Sequence, residues 1–459
     1  MNPNIIFIMA DDLGYGDLGC YGATKIATPN IDRIAHEGMR FSDAHAASAL
    51  CTPSRYNVLT GRYCWRSPLI QGVLWGFSPP LIETSRITVA SLLKEHDYAT
   101  ASIGKWHLGL NWTTTDGSIA EPKGNGRNID YAAPLTGGPN SLGFDYSFNI
   151  AGSLDMAPYC FIENGRVVDI PTVEKDPYNP QQRSGLMPPG WRDEEVDVTF
   201  ANKAVTWIEE RAREDRPFFL YLTPSAPHRP CMPPDFIKGA SHAGQRGDMI
   251  MLFDWLVGQI DETLHRLALA EDTLLIITSD NGAQLTDFYG NRWGHRPNSD
   301  LRGQKGDIWD GGHREPFIVR WPGQVEAGSV SDQLVCLGDL MATCAAIIGA
   351  ELPPDGGPDS VNILPLLQGK EEVVRDTLVH HSGDGMFSLR RGDWKLIEAL
   401  GSGGFSQPAR IEPQPDGPSG QLYNLSEDLA EQNNRWIEEP QIVKDFSAAL
   451  NGVIRSEQH

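Results

Sequence analysis

The chain has 459 residues, 40% of them hydrophobic and 21% charged, which is typical of a soluble globular protein with two or three conventional domains, or with one large α/β domain and a smaller appendage. Its 38 Lys and Arg residues against 60 Asp and Glu residues give a net charge of −22, which argues against non-specific binding to nucleic acid or docking on an anionic membrane. An anionic substrate would require positive charge concentrated in one cleft.

The chain begins with a short apolar run, residues 4–10, that ends abruptly in Asp11 and Asp12. This pattern predicts a fully buried strand of a parallel sheet with acidic residues at its carboxyl end. The run is too short for a membrane span and lacks the basic segment and cleavage site of a signal peptide. Two locations stay open: the cytoplasm, or the periplasm or cell exterior if a leader has been removed.

Helical and strand patterns alternate along the following residues. Segment 87–109 has the pattern of a helix, a turn, a strand and a loop. Other helices are predicted in 28–38, 196–215 and 247–272, and buried strands in 217–228, 273–283 and 315–323. This alternation predicts a doubly wound α/β sheet.

The sequence changes character after about residue 370. It then contains an alternating segment that predicts a hairpin, a Gly/Pro/Ser-rich excursion, a short strand and a final helix, at residues 378–400, 402–420, 421–425 and 440–455. We therefore predict an N-terminal α/β domain over residues 1–370 and a small C-terminal α+β subdomain over residues 371–459.

Three predicted strands end in residues that can bind a metal or a substrate: Asp11 and Asp12, then His228, then Asp280 and Asn281. Open α/β sheets bind ligands at the carboxyl ends of their strands, so these residues are predicted to converge. The aspartates and the asparagine form an oxygen ligand set suited to Ca²⁺ or Mg²⁺, and zinc is less favoured. Each pair taken alone also fits a helix cap or a turn.

Other candidates are weaker. Lys105 and His107 are two residues apart and would face the same side of an extended segment, although a solvated surface is the alternative. His228 lies in a Pro-bounded loop, where a hydrogen-bonded turn histidine is also expected. Lys305 and His313 lie among several glycines, which suggests close backbone approach or a flexible surface loop.

Cys51 stands in the unusual run "LCTPSRYNVLTGR". It is one of seven cysteines, an odd number without a C-x-x-C pair, which argues against a dense disulfide framework or a zinc ribbon and leaves one or two disulfides open. A structural cysteine needs no such neighbours. A role as acyl-transfer nucleophile lacks a nearby base in the sequence and does not explain the aspartate pairs.

The run from Cys51 to Arg55, followed by Leu59-Thr60-Gly61, resembles the C-x-P-S-R-x-x-x-L-T-G signature of the type I sulfatases, in which the cysteine is oxidised to formylglycine. The segments "NIIFIMADDLGYGDLGCYG", "GKWHLG", "APHRP", "TSDNG" and "KGDIWDGGHREPFIVRWPG" resemble further family blocks in the family's order. The resemblance covers most of the chain. It implies an alkaline-phosphatase-like fold, with a large mixed sheet flanked by helices.

The resemblance also implies site residues. Pro53 and Arg55 would be read before folding by a formylglycine-generating or anaerobic sulfatase-maturating enzyme. One Ca²⁺ would be bound by an oxygen of modified residue 51 and by Asp11, Asp12, Asp280 and Asn281. The sulfate would be surrounded by Lys105, His107, His228 and Lys305.

These residue types suit hydrolysis of a sulfate monoester. By the resemblance, a hydrated formylglycine offers two hydroxyls, one of which is acidified on Ca²⁺ near Arg55 and attacks sulfur. Lys105 and Lys305 would neutralise the sulfuryl oxygens, and His228 would protonate the leaving alcohol. His107 would deprotonate the second hydroxyl, which expels sulfate. Arg55 and the two lysines meet the requirement for local positive charge.

The substrate is predicted by analogy. The stretch "GSLDMAPY" resembles one that lines the substrate side in relatives, so Ser153 and Asp155 are expected to contact the leaving group. The long loops 112–145 and 160–192 and the C-terminal subdomain are expected to wall the pocket. Bacterial sulfatases with similar "CTPSRYNVLTGRYCWR" runs act on sulfated sugars, which favours an exo-acting carbohydrate sulfatase for a 6-O-sulfated hexosamine or galactose.

Two alternatives to a carbohydrate sulfatase are open. The nearer one is a phosphonate or phosphate ester hydrolase of the same superfamily, some of which carry a C-x-P-S-R signature. The other is a catalytically silent sulfated-glycan binding protein, which requires a missing catalytic group, and none is missing from the sequence. The sequence does not indicate the oligomeric state.

Overall fold

The computed structural model of the protein describes residues 2–285, 293–370 and 373–456. Eight α-helices occur within this part of the chain: α1 (Pro29–Glu37), α2 (Cys51–Thr60), α3 (Val89–Glu95), α4 (Val196–Arg211), α5 (Gly244–Arg266), α6 (Leu340–Ile348), α7 (Leu364–Leu367) and α8 (Pro440–Arg455). None of the helices in these ranges combines the length and the apolar character that crossing a bilayer requires.

The same ranges contain β1 (Asn4–Ala10), β2 (Met39–Phe41), β3 (Ala44–His45), β4 (Ala99–Lys105), β5 (Tyr146–Ile150), β6 (Ile162–Glu163), β7 (Arg166–Val167), β8 (Val173–Lys175), β9 (Gly185–Met187), β10 (Phe218–Thr223), β11 (Thr273–Ser279), β12 (Phe317–Arg320), β13 (Ser329–Ser331), β14 (Val335–Cys336), β15 (Thr377–His381), β16 (Phe387–Arg391), β17 (Trp394–Ile397) and β18 (Gln421–Asn424). Strand β14 pairs with β3, and β8 pairs with β9.

The central sheet has ten strands in the order β13-β2-β12-β11-β1-β10-β4-β5-β6-β7. Strands β11, β1, β10, β4 and β5 are parallel, whereas β12 and the β6–β7 hairpin are antiparallel to their neighbours. The predicted mixed sheet is therefore confirmed. The strands β11, β1, β10 and β4 at its centre are buried along their whole length because helices cover both faces.

Alternate residues of β1 show the two covered faces. Ile5, Phe7 and Met9 belong to a core cluster that includes residues of α2, α3 and α6. Ile6 and Ile8 belong to a second cluster with residues of α1, α4 and α5. All these strand residues are inaccessible to solvent. The doubly wound arrangement follows from this alternation of side chains in a strand.

The C-terminal region forms an antiparallel sheet in the order β15-β16-β17-β18, against which α8 packs. The predicted hairpin over 378–400 is corrected to three strands. Tyr63 and Trp65 of the N-terminal region share a core cluster with residues of this sheet and of α8. The predicted domain boundary falls at residues 371–372, outside the described residues, and stays a prediction.

None of the seven cysteines is in a disulfide.

His313, which the sequence placed in a Gly-rich loop, is fully buried and lies outside the pocket described below. Its ring stacks on that of His380 of β15, with 3.9 Å between centroids. Its Nδ1 is 3.0 Å from His45 Nδ1, and its Nε2 is 3.3 Å from Lys395 Nζ of β17. A histidine cluster thus joins the two regions.

Burial, reinforced by His313 and His45, lowers the pKa of His380 well below its ordinary value. A histidine whose pKa is lower in the folded than in the unfolded state has no effect on stability above about pH 6.5. Below that pH it destabilises the folded state progressively, because only the unfolded state binds the proton. We expect His380→Gln to reduce the pH dependence of the free energy of unfolding by about 1.4 kcal/mol per pH unit below 6.5. Denaturant unfolding at pH 7.5 and 5.5 measures this. Equal pH dependence in both proteins would contradict it.

Candidate active site

Side chains from four neighbouring strand ends meet at one edge of the central sheet. Asp11 and Asp12 follow β1, Asp280 follows β11, and Lys105 is the last residue of β4. His228 lies in the loop after β10. The Asp280 N–H donates to Ala10 O at 3.2 Å, and the Asp12 N–H donates to Asp280 Oδ1 at 3.1 Å, which fixes the strand ends to each other. The predicted convergence is confirmed.

Cys51 is the first residue of α2, and all ten residues of this helix are buried. The helix is tied to the end of β4: Arg55 Nη1 donates to Lys105 O at 3.1 Å, and Thr52 Oγ1 donates to His107 O at 3.1 Å. The Cys51 sulfur lies within 4.8 Å of carboxylate oxygens of Asp11 and Asp280. The helix therefore places residue 51 beside the aspartates that the sequence grouped with it.

Three buried carboxylates face three buried cations. The ion pairs are Lys105 Nζ–Asp11 Oδ2 at 2.7 Å, Lys305 Nζ–Asp12 Oδ1 at 2.5 Å and Arg55 Nη2–Asp280 Oδ2 at 2.7 Å. All six side chains are at most 6% exposed. The concentration of positive charge that an anionic substrate requires is present here, despite the acidic character of the whole chain.

The carboxylates are not equally neutralised. Burial opposes ionisation of Asp11, but Lys105 and other cations outweigh it and hold the pKa of this carboxyl well below its usual range. At Asp280, burial outweighs the attraction of Arg55 and raises the pKa to about 8. Burial, together with Asp280 and Asp12, also raises the pKa of Glu315 well above its ordinary value. The cations of the chain therefore do not fully offset the burial of negative charge around Asp280.

These residues fit a hard divalent cation. The Oδ1 atom of Asn281 is buried and has no hydrogen-bond partner within the described residues, whereas Nδ2 donates to Asp12 Oδ1 at 2.8 Å. This free amide oxygen and the carboxylate oxygens of Asp11, Asp12 and Asp280 together form an all-oxygen donor set of the kind that Ca²⁺ and Mg²⁺ prefer. A bound cation would also add to the positive charge that Arg55 already supplies to Asp280.

His107 differs from the sequence prediction in its backbone. It has a φ of +56°, so Lys105 and His107 do not lie on one extended segment, and both are buried rather than solvated. His107 Nε2 donates to Leu74 O at 2.8 Å, because a carbonyl oxygen only accepts. The buried Nδ1 atom has no partner among the described residues. Burial, reinforced by Lys105 and Arg55, lowers the pKa of His107 well below its ordinary value.

His228 has the opposite orientation of its ring nitrogens. Its Nδ1 donates to Arg229 O at 2.6 Å, and its Nε2 lies 3.7 Å from Asp12 Oδ2. Burial, reinforced by Lys305 and Lys105, lowers its pKa to about 4 although the nearby aspartates act in the other direction. The Nε2 atom is therefore the one that can exchange a proton on this side of the site.

A pocket of about 370 Å³ opens above these groups. Its lining includes these sequence-predicted residues: Cys51, His107, Ser153, Asp155, His228 and Lys305. Arg55 and Lys105 lie behind the pocket wall and are inaccessible to solvent. The Oγ of Ser153 and the Oδ1 of Asp155 are buried without a partner in the described structure, which leaves both available to a ligand.

Part of the remaining pocket wall comes from the segments that the sequence predicted to form it. Loop 112–145 contributes Lys123, loop 160–192 contributes Arg183, and the C-terminal region contributes Asp384 and Phe405. Trp75 also lines the pocket. The sequence did not single out any of these five residues, because none of them belongs to a motif that indicates a site. Another lining residue, the arginine of the "APHRP" block, could have been identified from that block.

Comparisons with known proteins agree with this geometry. A family model described as "Sulfatase" matches residues 3–350. An N-acetylgalactosamine-6-O-sulfatase of Bacteroides thetaiotaomicron is 38% identical, covering 98% of this chain and 93% of that protein. Human arylsulfatase A is 32% identical, and the match covers 94% of this chain and 83% of that protein. A solved structure of a B. thetaiotaomicron protein, described in connection with the metabolism of multiple glycosaminoglycans, is 36% identical and has a TM-score of 0.87. The match covers 98% of this chain and 99% of that one.

Proposed function

The chain belongs to the sulfatase family, and from this premise we propose that it removes a 6-O-sulfate group from a hexosamine or galactose residue at the end of a sulfated glycan. Hydrolysis of a sulfuric ester follows from the family itself. The sugar and the position are supported by the similarity to an N-acetylgalactosamine-6-O-sulfatase. The observation that carries the proposal is the pocket at whose base Cys51 meets Lys305, His107 and His228.

Membership of the family implies a formylglycine residue and a bound metal ion. Cys51 is the residue to be converted, by a formylglycine-generating or an anaerobic sulfatase-maturating enzyme, because it is the cysteine in the signature and it lines the pocket. One Ca²⁺ would be held by Asp11, Asp12, Asp280 and Asn281 together with residue 51. The hydrate of formylglycine would supply a hydroxyl nucleophile, and the ion would supply positive charge for the sulfuryl oxygens.

The buried cations of the chain attract the sulfate and stabilise its charge during the reaction. Lys305 reaches the pocket directly, and burial around it strengthens its interaction with an anion. Arg55 and Lys105 act from behind the wall, where their contacts with Asp280 and Asp11 fix their positions. Because these groups are held before substrate arrives, little reorganisation is needed during the reaction.

The two histidines handle different protons. His228 Nε2 faces the pocket side of the site and donates to the leaving oxygen, and an incoming sulfate raises the pKa of His228 because an anion favours imidazolium. His107 Nδ1 is an acceptor, since its Nε2 proton is committed to Leu74 O. It therefore removes a proton at the nucleophile side. Ser153 Oγ and Asp155 Oδ1 are free to bind sugar hydroxyls.

His228→Ala should separate substrates by their leaving groups. A nitrophenol leaves without protonation, whereas a sugar alcohol needs a proton. We expect kcat/KM to fall about 10²-fold more with a sugar sulfate than with an aryl sulfate, the usual scale of general acid catalysis. The matched variant His107→Ala should impair both substrates to a similar degree. The same leaving-group dependence in the two variants would contradict this division of roles.

The function itself is tested by inorganic sulfate release, measured by ion chromatography. We expect release from 6-O-sulfated N-acetylgalactosamine and much less from its 4-O-sulfated isomer. Preferential hydrolysis of a phosphate diester or phosphonate would instead support the alternative of a phosphorus ester hydrolase. Binding of the sulfated sugar without turnover by fully matured protein would support a silent binding protein.

A further inference from the structure

Two cationic side chains lie over one aromatic ring at the outer wall of the pocket. Arg183 Cζ lies 4.4 Å and Lys123 Nζ lies 4.5 Å from the centroid of the Trp75 ring. All three residues line the pocket that contains Cys51. Cations at this distance from an indole ring are attracted by its π electrons, so Trp75 holds both charges at this wall.

Asp155 fixes the positive charges further. Its Oδ2 is 3.3 Å from Arg183 Nη1 and 3.4 Å from Arg229 Nε, and the Asp155 side chain is only 4% exposed. The backbone of Arg183 is anchored as well, since its N–H donates to Asp155 O at 3.0 Å and its carbonyl accepts from Tyr159 OH at 2.5 Å. The Arg183 side chain is 46% exposed. A fixed backbone therefore presents an accessible cation.

This wall carries more positive charge than its own carboxylate neutralises. Arg183 and Arg229 share the single carboxylate of Asp155, and Lys123 lies over Trp75 without an ion pair among the described residues. The sulfate would be met by Lys305, which lines the same pocket. The C-terminal region adds Asp384 to the pocket lining, but none of the described ion pairs joins it to these cations. In a chain with a net charge of −22, such a concentration of exposed cations suits an anion other than the sulfate to be cleaved.

We propose that this wall binds a second anionic group of the substrate, carried by the saccharide next to the sulfated residue. The inference rests on the proposed function. The group is a carboxylate or a second sulfate, since guanidinium and ammonium groups bind both through charge-assisted hydrogen bonds. The substrate class is thus a polyanionic glycan fragment, in which the terminal residue enters the pocket and its neighbour lies against Lys123 and Arg183.

The test compares four substrates with the same terminal 6-O-sulfated N-acetylgalactosamine: the monosaccharide, a disaccharide with a uronic acid, the same disaccharide with its carboxyl reduced to an alcohol, and one with a sulfate in place of the carboxyl. We expect the anionic disaccharides to exceed the reduced one by about tenfold in kcat/KM, as for one charged hydrogen bond. The gain should lie in KM, because a remote group binds equally in ground and transition states. It should shrink at high salt.

Arg183→Gln and Lys123→Gln should reduce this preference and leave the rate on the monosaccharide within about twofold, because neither residue contacts the reacting group. Arg127→Gln is the matched control: Arg127 lies in the same loop as Lys123, pairs with Glu174, and does not line the pocket. It should keep the full preference. The preferred anionic disaccharide identifies the second group as carboxylate or sulfate.

The outcomes are distinguishable. Sulfate release from the monosaccharide with equal rates on charged and reduced disaccharides would overturn this inference and leave the proposed function intact. A preference retained by both Arg183→Gln and Lys123→Gln would also overturn it, because the anion would then be bound elsewhere. Absence of sulfate release from all four compounds would overturn the proposed function and this inference together.

Discussion

Asp280→Ala is expected to abolish sulfate release. Asp280 belongs to the oxygen cluster that fits a divalent cation, and it is also the partner of Arg55, whose Nη2 and Nε atoms donate to Asp280 Oδ2 at 2.7 and 3.1 Å. Its loss would remove a metal ligand and leave a buried guanidinium without its main acceptor, which is costly. Both effects act on the same catalytic groups, so the expected loss of activity is among the largest for a single substitution in this chain.

The same variant has a readout independent of activity. A ligand that binds only the folded state stabilises it by about 2.7 kcal/mol at a concentration 100 times its Kd. We expect added Ca²⁺ to raise the thermal midpoint of the wild-type protein after chelation, and to have little effect on Asp280→Ala. Asp300→Ala removes an exposed carboxylate and serves as a control with a wild-type response. Full activity in a chelated, metal-free sample would contradict the metal assignment.

Cys51→Ser should reduce turnover by about 10³-fold or more, as expected when a nucleophile is removed. Serine has a single hydroxyl and can attack sulfur, but it then holds a stable sulfate ester because it has no second hydroxyl whose deprotonation expels sulfate. The helix should still form, since Cys51 Sγ makes no hydrogen bond on which α2 depends. Cys20→Ser, at a half-buried cysteine outside the pocket, is the control and should retain activity. Wild-type turnover by Cys51→Ser would contradict the role of residue 51.

The fold and the centre of the site were predictable because both depend on the same sequence pattern. Continuous apolar runs predicted strands buried on both faces, and in a parallel sheet such strands end at a common edge. Asp11, His228 and Asp280 therefore came together without any knowledge of tertiary structure. The pairing of Cys51 with them depended on the resemblance to the sulfatases, since nothing in a local helix pattern indicates which sheet edge the helix faces.

Other features depend on tertiary structure and were missed or wrong. The left-handed backbone at His107 cannot be recognised from the residue type, so an extended segment was predicted instead. The alternating pattern of residues 378–400 continues across the turn at Gly392, which made three strands resemble one hairpin. Trp75 and Arg183 lie far apart in sequence and have no periodic context, so only the folded chain shows their contact.

The most direct test of the account is the mass of residue 51 in preparations of different specific activity. Peptide mass spectrometry after co-expression with a formylglycine-generating enzyme should show residue 51 lighter by the difference between a thiol-bearing and an aldehyde-bearing side chain. Release of sulfate from a sulfated sugar should rise in proportion to the converted fraction. A fully active preparation in which residue 51 carries only an unmodified thiol would contradict it.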